Sequence, residues 1–197
     1  MKTFHNFDLT DYNSYRIRSI CATAFFPENM EDIKTLFESS AVSKPMVIGG
    51  GYNIILSKPF YQEDFAVFSD NISAFTLDGS KITAQPGGSL YTLSKFALEH
   101  SLMGMEIFYD IPSSLGGAVV MNAGASGEEI KDILSQVTYF DPTDDQFHTI
   151  MREDLSFEYR NSFFQMTVFR IPVADLMIRS SSSSSPRSLK SWNRTWK

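Results

Sequence analysis

Apolar residues in this chain fall in short runs divided by polar or glycine-rich breaks, the rhythm of many strands with a few helices between them. Ala22–Phe26 is a strand-like run closed by Pro27. Asn29 then offers an N-cap to a helix over about Met30 to Ser39, with Ile33, Leu36 and Phe37 on one face and Glu31 and Asp32 in the first turn, where the helix dipole favours acids. Pro45–Ile48 reads as a short buried strand running into Gly49. Tyr52–Leu56 reads as a strand, since Ile54-Ile55-Leu56 is β-prone and Pro59 follows too soon for a helix. This is strand, glycine turn, strand, and not the glycine-opened helix of a dinucleotide-binding Rossmann unit.

Phe65–Phe68 and Ile72–Leu77 follow as strands, and Asp78-Gly79-Ser80-Lys81 predicts a hairpin leading into Ile82–Gln85. Gly87-Gly88-Ser89 opens a helix with Ser89 as cap, Leu90, Leu93, Phe96 and Ala97 on its inner face, and Gly104 as its stop. Val137–Phe140 and Phe147–Ile150 form a hairpin around Asp141-Pro142, and Arg152–Leu155 makes one helical turn before Phe157–Arg160. The class is α+β. The organised part is expected to begin at Asn13–Ile17.

The chain has 197 residues, 43% of them hydrophobic and seventeen of them Phe, enough for a sizeable core. Net charge −6 and pI about 5.0 argue against a nucleic-acid partner. The single Cys21 cannot form an internal disulfide, and no apolar run approaches membrane-spanning length. Met1–Asp8 lacks a signal-peptide layout, so a cytoplasmic protein without a membrane partner is expected. His5, His100 and His148 are far apart and none pairs with Cys21 at ligand spacing, so no metal is expected. From Arg179 to Lys197 there are five basic and no acidic residues, with Ser180–Ser185 unbroken and both tryptophans. Residues 171–197 are therefore expected to be a Ser-rich basic tail, disordered or out of frame.

Three places could carry chemistry. Gly49-Gly50-Gly51-Tyr52-Asn53 is either a tight turn or a phosphate cradle made of successive backbone N–H groups. Met103–Glu129 holds five of the eleven glycines. Within it Pro112, Ser113, Ser114, Gly116, Gly117, Asn122, Ala123, Gly124 and Ala125 either line a groove for a fused aromatic ring or let backbone pack closely. Tyr159-Arg160 ends a candidate strand. Its Arg is either a surface charge or a stabiliser of a developing anion.

Asn13-Ser14-Tyr15, Val47–Ile55, Gly104-Met105-Glu106, Ile111–Ala125 and Phe157–Ser162 occur in one order, and together they resemble the UDP-N-acetylenolpyruvoylglucosamine reductase (MurB) family of peptidoglycan synthesis and cell-wall biogenesis. The resemblance covers roughly residues 10–165. It implies the FAD-binding fold of vanillyl-alcohol-oxidase (PCMH) type, with two small α+β subdomains at 1–57 and 58–170. By resemblance Gly49, Gly50, Gly51, Tyr52 and Asn53 hold the FAD pyrophosphate. Pro112–Gly117 and Asn122–Ala125 pass close to the flavin. Tyr159 and Arg160 face the substrate, UDP-N-acetylglucosamine enolpyruvate, with Arg160 stabilising the anion formed after hydride passes from NADPH through FAD.

Tyr52 and Ser113 stand where this family usually has Ser and Gly. Family members run to about 300 residues, and their last third, with a proton-donating Ser and a catalytic Glu, has no counterpart here. The expectation is a C-terminally truncated, catalytically incomplete oxidoreductase, with a non-catalytic FAD-binding module or an inert fragment as the alternative.

Overall fold

The computed structural model describes residues 1–38, 44–165, 171–177 and 179–180. The first unit is a five-stranded sheet. Its elements are β1 (Lys2–Asp8), β2 (Ile20–Phe26), α1 (Met30–Glu38), β3 (Met46–Ile48), β4 (Phe60–Tyr61) and β5 (Phe65–Val67). The strand order is β1-β2-β5-β3, with β4 also on β2; β1 is antiparallel to β2 and the other pairings are parallel. Alternation along β5 fills both faces. Phe65 and Val67 join Leu9, Cys21, Ala24, Phe26 and Ile48 on one, while Ala66 joins Ile33 and Leu36 of α1 on the other. Burial pushes the Cys21 thiol up to about 11, so it behaves as core and not as a nucleophile.

Order begins at Lys2, not at Asn13. In Lys2–Asp8 the two Phe residues are three apart, which breaks the period-two signal of a strand. Asn6 takes the left-handed conformation (φ 51), and the Phe4 and Phe7 rings meet at 5.5 Å, each also reaching Phe26. Ile54–Leu56 is not a strand. Ile54 and Leu56 do pack inward, but the N–H groups that follow, of Ser57 and Lys58, donate to the Tyr61 hydroxyl at 2.9 and 3.3 Å and not to a neighbouring strand.

The second unit comprises β6 (Phe75–Asp78), β7 (Lys81–Ala84), α2 (Leu90–Glu99), β8 (Leu102–Met103), α3 (Leu115–Val120), β9 (Gly124–Ala125), β10 (Glu128–Glu129), β11 (Leu134–Asp141), β12 (Gln146–Met151), β13 (Phe157–Glu158), β14 (Asn161–Ser162), β15 (Ile171–Met177) and β16 (Arg179–Ser180). Its antiparallel sheet has the order β12-β11-β15-β7-β6. Gly79 opens the two-residue β6–β7 loop with φ +59. Leu90, Leu93 and Ala97 of α2 and Leu115, Ala118 and Val119 of α3 pack with Ile82, Val137 and Tyr139 of the sheet.

Four expectations need correction here. Asp70–Ile72 is a 3-10 turn, so the strand expected from Ile72 begins at Phe75; the Ile72 carbonyl instead accepts from Gly87 N–H at 2.8 Å. Helix α2 stops at Glu99, well before Gly104, because Ser101 adopts φ 56. Ile171–Met177 is no tail: it pairs with β11 on one side and β7 on the other. The first sheet takes β4 and β5 from beyond residue 57, and we place the boundary between the units near residue 73. The remainder of the expected tail, 181–197, lies outside the described residues. Phe140 of β11 crosses the boundary and is fully buried with Ile33, Leu36, Phe68 and Ile72 of the first unit.

Candidate functional site

The turn after β3 is built by close approach. At Gly51, φ is +68 and a Cβ would lie 1.9 Å from the Tyr12 carbonyl oxygen. At Gly49 a Cβ would lie 2.4 Å from Ser114 Oγ. At Gly51 the opposing atom is backbone and glycine is demanded, whereas at Gly49 it is a hydroxyl that a side chain would have to turn aside. The segment Leu9–Ile17 is itself fixed by buried Asn13, whose Nδ2 donates to the carbonyls of Leu9 (2.9 Å) and Ile17 (3.0 Å) while its Oδ1 accepts from Ile17 N–H (2.9 Å).

The loops that open α2 and α3 lock together opposite this turn. Leu90 N–H donates to Ser113 O (3.0 Å), Leu115 N–H to Gly88 O (2.7 Å) and Gly116 N–H to Pro86 O (2.8 Å). A Cβ on Gly116 would meet Pro86 at 2.9 Å. Gly50 N–H points to Ser114 Oγ at 3.4 Å. The Ser113 hydroxyl donates to Ser114 O (2.9 Å) and so turns onto its own backbone.

Between turn and loops lies a cleft of about 550 Å³. Gly49, Gly50, Gly51, Tyr52 and Asn53 form one wall; Pro112, Ser113, Ser114, Gly116, Gly117 and Ala123 form the other; Arg160 stands at its rim. A second cleft of about 570 Å³ adjoins it, floored by Phe4, Phe7, Tyr12 and Phe26. Gly49, Gly50, Tyr52, Ser113 and Ser114 border both clefts. Tyr52 is the one ring at this border, and it lies close over Gly50.

Arg160 is the second residue of the two-residue β13–β14 loop and takes φ 55. Its Nη2 donates to Gly124 O at 2.9 Å and its guanidinium lies 5.3 Å from the Tyr159 ring centroid. Behind it, Glu129 is held below the ordinary carboxylate range by its hydrogen bond to Lys131, with help from Asn122 and the Arg160 charge. The Ser162 hydroxyl, the next one along the hairpin, donates to Val120 O at 2.6 Å.

Four of the sequence-derived site residues do not line the clefts. Asn122 is fully buried with φ 44, and its Nδ2 donates to Glu158 O at 2.9 Å, tying the end of α3 to the Arg160 hairpin. Gly124 supplies the carbonyl that Arg160 grips, and its missing Cβ admits Glu128 O. Ala125 is exposed on the β9–β10 hairpin, and Tyr159 is 82% exposed outside the cleft. In turn, Ile54, Phe68, Pro86, Ile111, Val120, Met121 and Phe164 line the first cleft without having been singled out. Pro86 carried a usable signal, since it immediately precedes Gly87-Gly88. Among the described residues no three or more His, Cys, Asp or Glu cluster as metal ligands, and no helix is long and apolar enough to cross a membrane.

A mixed α+β fold of two sheets meeting at a glycine-walled cleft defines an FAD-binding domain of vanillyl-alcohol-oxidase (PCMH) type. The family model described as an FAD binding domain matches residues 22–149, and the chain belongs to that family. Among proteins of known name, the chain is similar to UDP-N-acetylenolpyruvoylglucosamine reductases. It is 34% identical over 158 residues to the one from Francisella tularensis, covering 80% of this chain and 55% of that protein. It is 37% identical over 142 residues to the one from Streptococcus pneumoniae, covering 71% of this chain and 46% of the relative. The solved reductase (MurB) of Thermus caldophilus superposes with a TM-score of 0.74 at 25% identity, covering 98% of this chain and 65% of that one. Alkyldihydroxyacetonephosphate synthase shares the fold at a TM-score of 0.60 and 15% identity, with coverage of 88% and 34%. The chain thus spans about half the length of the curated relatives it matches.

Proposed function

We propose that this chain binds FAD across its two clefts and forms the cofactor half of a UDP-N-acetylenolpyruvoylglucosamine reductase, with NADPH as hydride donor and UDP-N-acetylglucosamine enolpyruvate as substrate. One observation carries the reading: two clefts of similar size share Gly49, Gly50 and Tyr52 of the glycine turn and Ser113 and Ser114 of the facing loop as a common border, with Arg160 lining the first. Such a shape suits a ligand of two ring systems joined by a charged linker. The residues fit that ligand. Glycines and small side chains admit the linker to the backbone, successive N–H groups suit an anion, and the common border has an aromatic floor on one side and a cationic rim on the other.

FAD, when bound, supplies the hydride chemistry. The chain's own contribution is to bind, orient and balance charge. Gly49–Asn53 offer backbone donors to the pyrophosphate, and the apolar lining from Ile111, Val120 and Phe164 sheds water from the first cleft. Arg160, held by Gly124 O and braced by Tyr159, sets a fixed positive charge where an anion develops. By this reading Tyr159 contributes as a brace.

A proton donor is not supplied by Ser162, whose hydroxyl is committed to Val120 O. The chain alone is therefore read as a cofactor-loaded module that does not complete turnover. A cytoplasmic site is consistent with the lone reduced Cys21. The test is the absorbance spectrum of the purified protein before and after FAD, followed by melting with and without FAD. Saturation at a hundred times Kd should add about 2.7 kcal/mol of stability. No flavin band and no shift in Tm would refute FAD binding. NADPH oxidation dependent on the enolpyruvyl substrate would refute incompleteness.

A further inference from the structure

The glycine turn does not hold its shape alone; Ser14, outside both clefts, grips it by two hydrogen bonds. Ser14 N–H donates to Gly51 O at 3.0 Å and Ser14 Oγ donates to Tyr52 O at 3.0 Å. The peptide bonds are trans, so in each plane the N–H points opposite to the C=O. Drawing the Gly51 and Tyr52 carbonyls toward Ser14 therefore turns the N–H groups of Tyr52 and Asn53 the other way. Tyr12 packs against Gly51 on the Ser14 side of the turn, and none of residues 11–14 lines the first cleft. Tyr52 and Asn53 both line the first cleft, and neither N–H has an acceptor among the described residues.

We infer that Ser14 is a positioning residue for anion recognition: by gripping two carbonyls it aims a pair of backbone donors at the pyrophosphate of the bound dinucleotide. The inference rests on the FAD reading and adds to it a residue that never touches the ligand. It also explains why a hydroxyl residue is useful at an exposed position where packing demands nothing.

The test measures affinity for FAD and for riboflavin, which has the ring but no phosphate, by fluorescence titration of the full chain. Ser14→Ala keeps the N–H bond, loses the hydroxyl bond, and should weaken FAD by ~3–10-fold, the worth of one such hydrogen bond. Riboflavin affinity should not change, and Ser14→Thr should restore FAD. The urea midpoint of the flavin-free protein reports any general loss of structure. Equal loss of FAD and riboflavin, or no loss of FAD, would overturn the role of Ser14 while leaving FAD binding intact. A wild-type chain that binds neither flavin overturns both readings.

Discussion

Two glycines share a positive φ and differ in what surrounds them, which allows a sharp test of why the turn after β3 needs glycine. Gly51 has φ +68 and Gly79 has φ +59. Alanine at either position carries the left-handed penalty, about 1–2 kcal/mol. At Gly79 nothing else opposes it, because no heavy atom lies within 4 Å of the added Cβ. At Gly51 the Cβ falls 1.9 Å from the Tyr12 carbonyl oxygen and 3.0 Å from Asn13 Cα.

These are backbone atoms, pinned by the Asn13 hydrogen bonds, so they cannot yield as a flexible side chain would. Relief requires the two segments to part, which breaks both Ser14 bonds at about 1 kcal/mol each. Gly51→Ala should thus cost about 3–4 kcal/mol and Gly79→Ala about 1–2 kcal/mol. Urea unfolding followed by circular dichroism measures both. Gly51→Ala should also lose the FAD-induced rise in Tm, while Gly79→Ala keeps it. If the two variants lose stability within about 0.5 kcal/mol of each other, the close-approach argument is wrong.

Two further outcomes follow from the packing and the charges. Phe140→Ala empties a fully buried site shared by both units and should cost about 3–5 kcal/mol, with weaker FAD binding, since the clefts lie where the units meet; loss below 1 kcal/mol in a urea melt would contradict the shared core. Glu129 has its pKa lowered by Lys131, so its contribution is present above the unfolded carboxyl value of about 4.3 and is lost as pH falls through the lower folded value. Glu129→Gln should therefore remove part of the acid-side fall in Tm below that pH, and an unchanged slope in a pH series of melts would show that the pair contributes nothing.

Much of this arrangement was legible in the residues because it is local. The Gly79-Ser80 hairpin and the Ser89-led helix depend on neighbours a few positions away, and the glycine turn shows in its three consecutive glycines although the atoms that crowd it, on Tyr12 and Ser114, are distant in sequence. The Pro112–Gly117 wall was legible for a related reason: only small residues tolerate such close approach. Strand β1 was missed because a single left-handed Asn6 removes the alternation on which the reading depended. Ile54–Leu56 has the alternating burial of a strand but no partner, and partners are not visible in a segment alone. The resemblance puts Asn122 in a segment close to the flavin, yet its side chain bonds to the Arg160 hairpin and does not line the cleft. Its neighbours in sequence were informative; its direction was not.

Strand β15 has a consequence for how the molecule comes into being. It sits between β11 and β7, and its pairing of Ala174 with Ala84 joins residues about 90 apart in the chain, the kind of contact that slows folding. As the chain leaves the ribosome, the first sheet has all of its strands by Val67 and can close early. The second has β6, β7, β11 and β12 in hand while its middle is still missing. Two inner edges then stay unpaired, a state prone to mispairing with other chains. Ile171–Met177 ends that interval by entering between strands already made. The last strand to arrive is the keystone of its sheet.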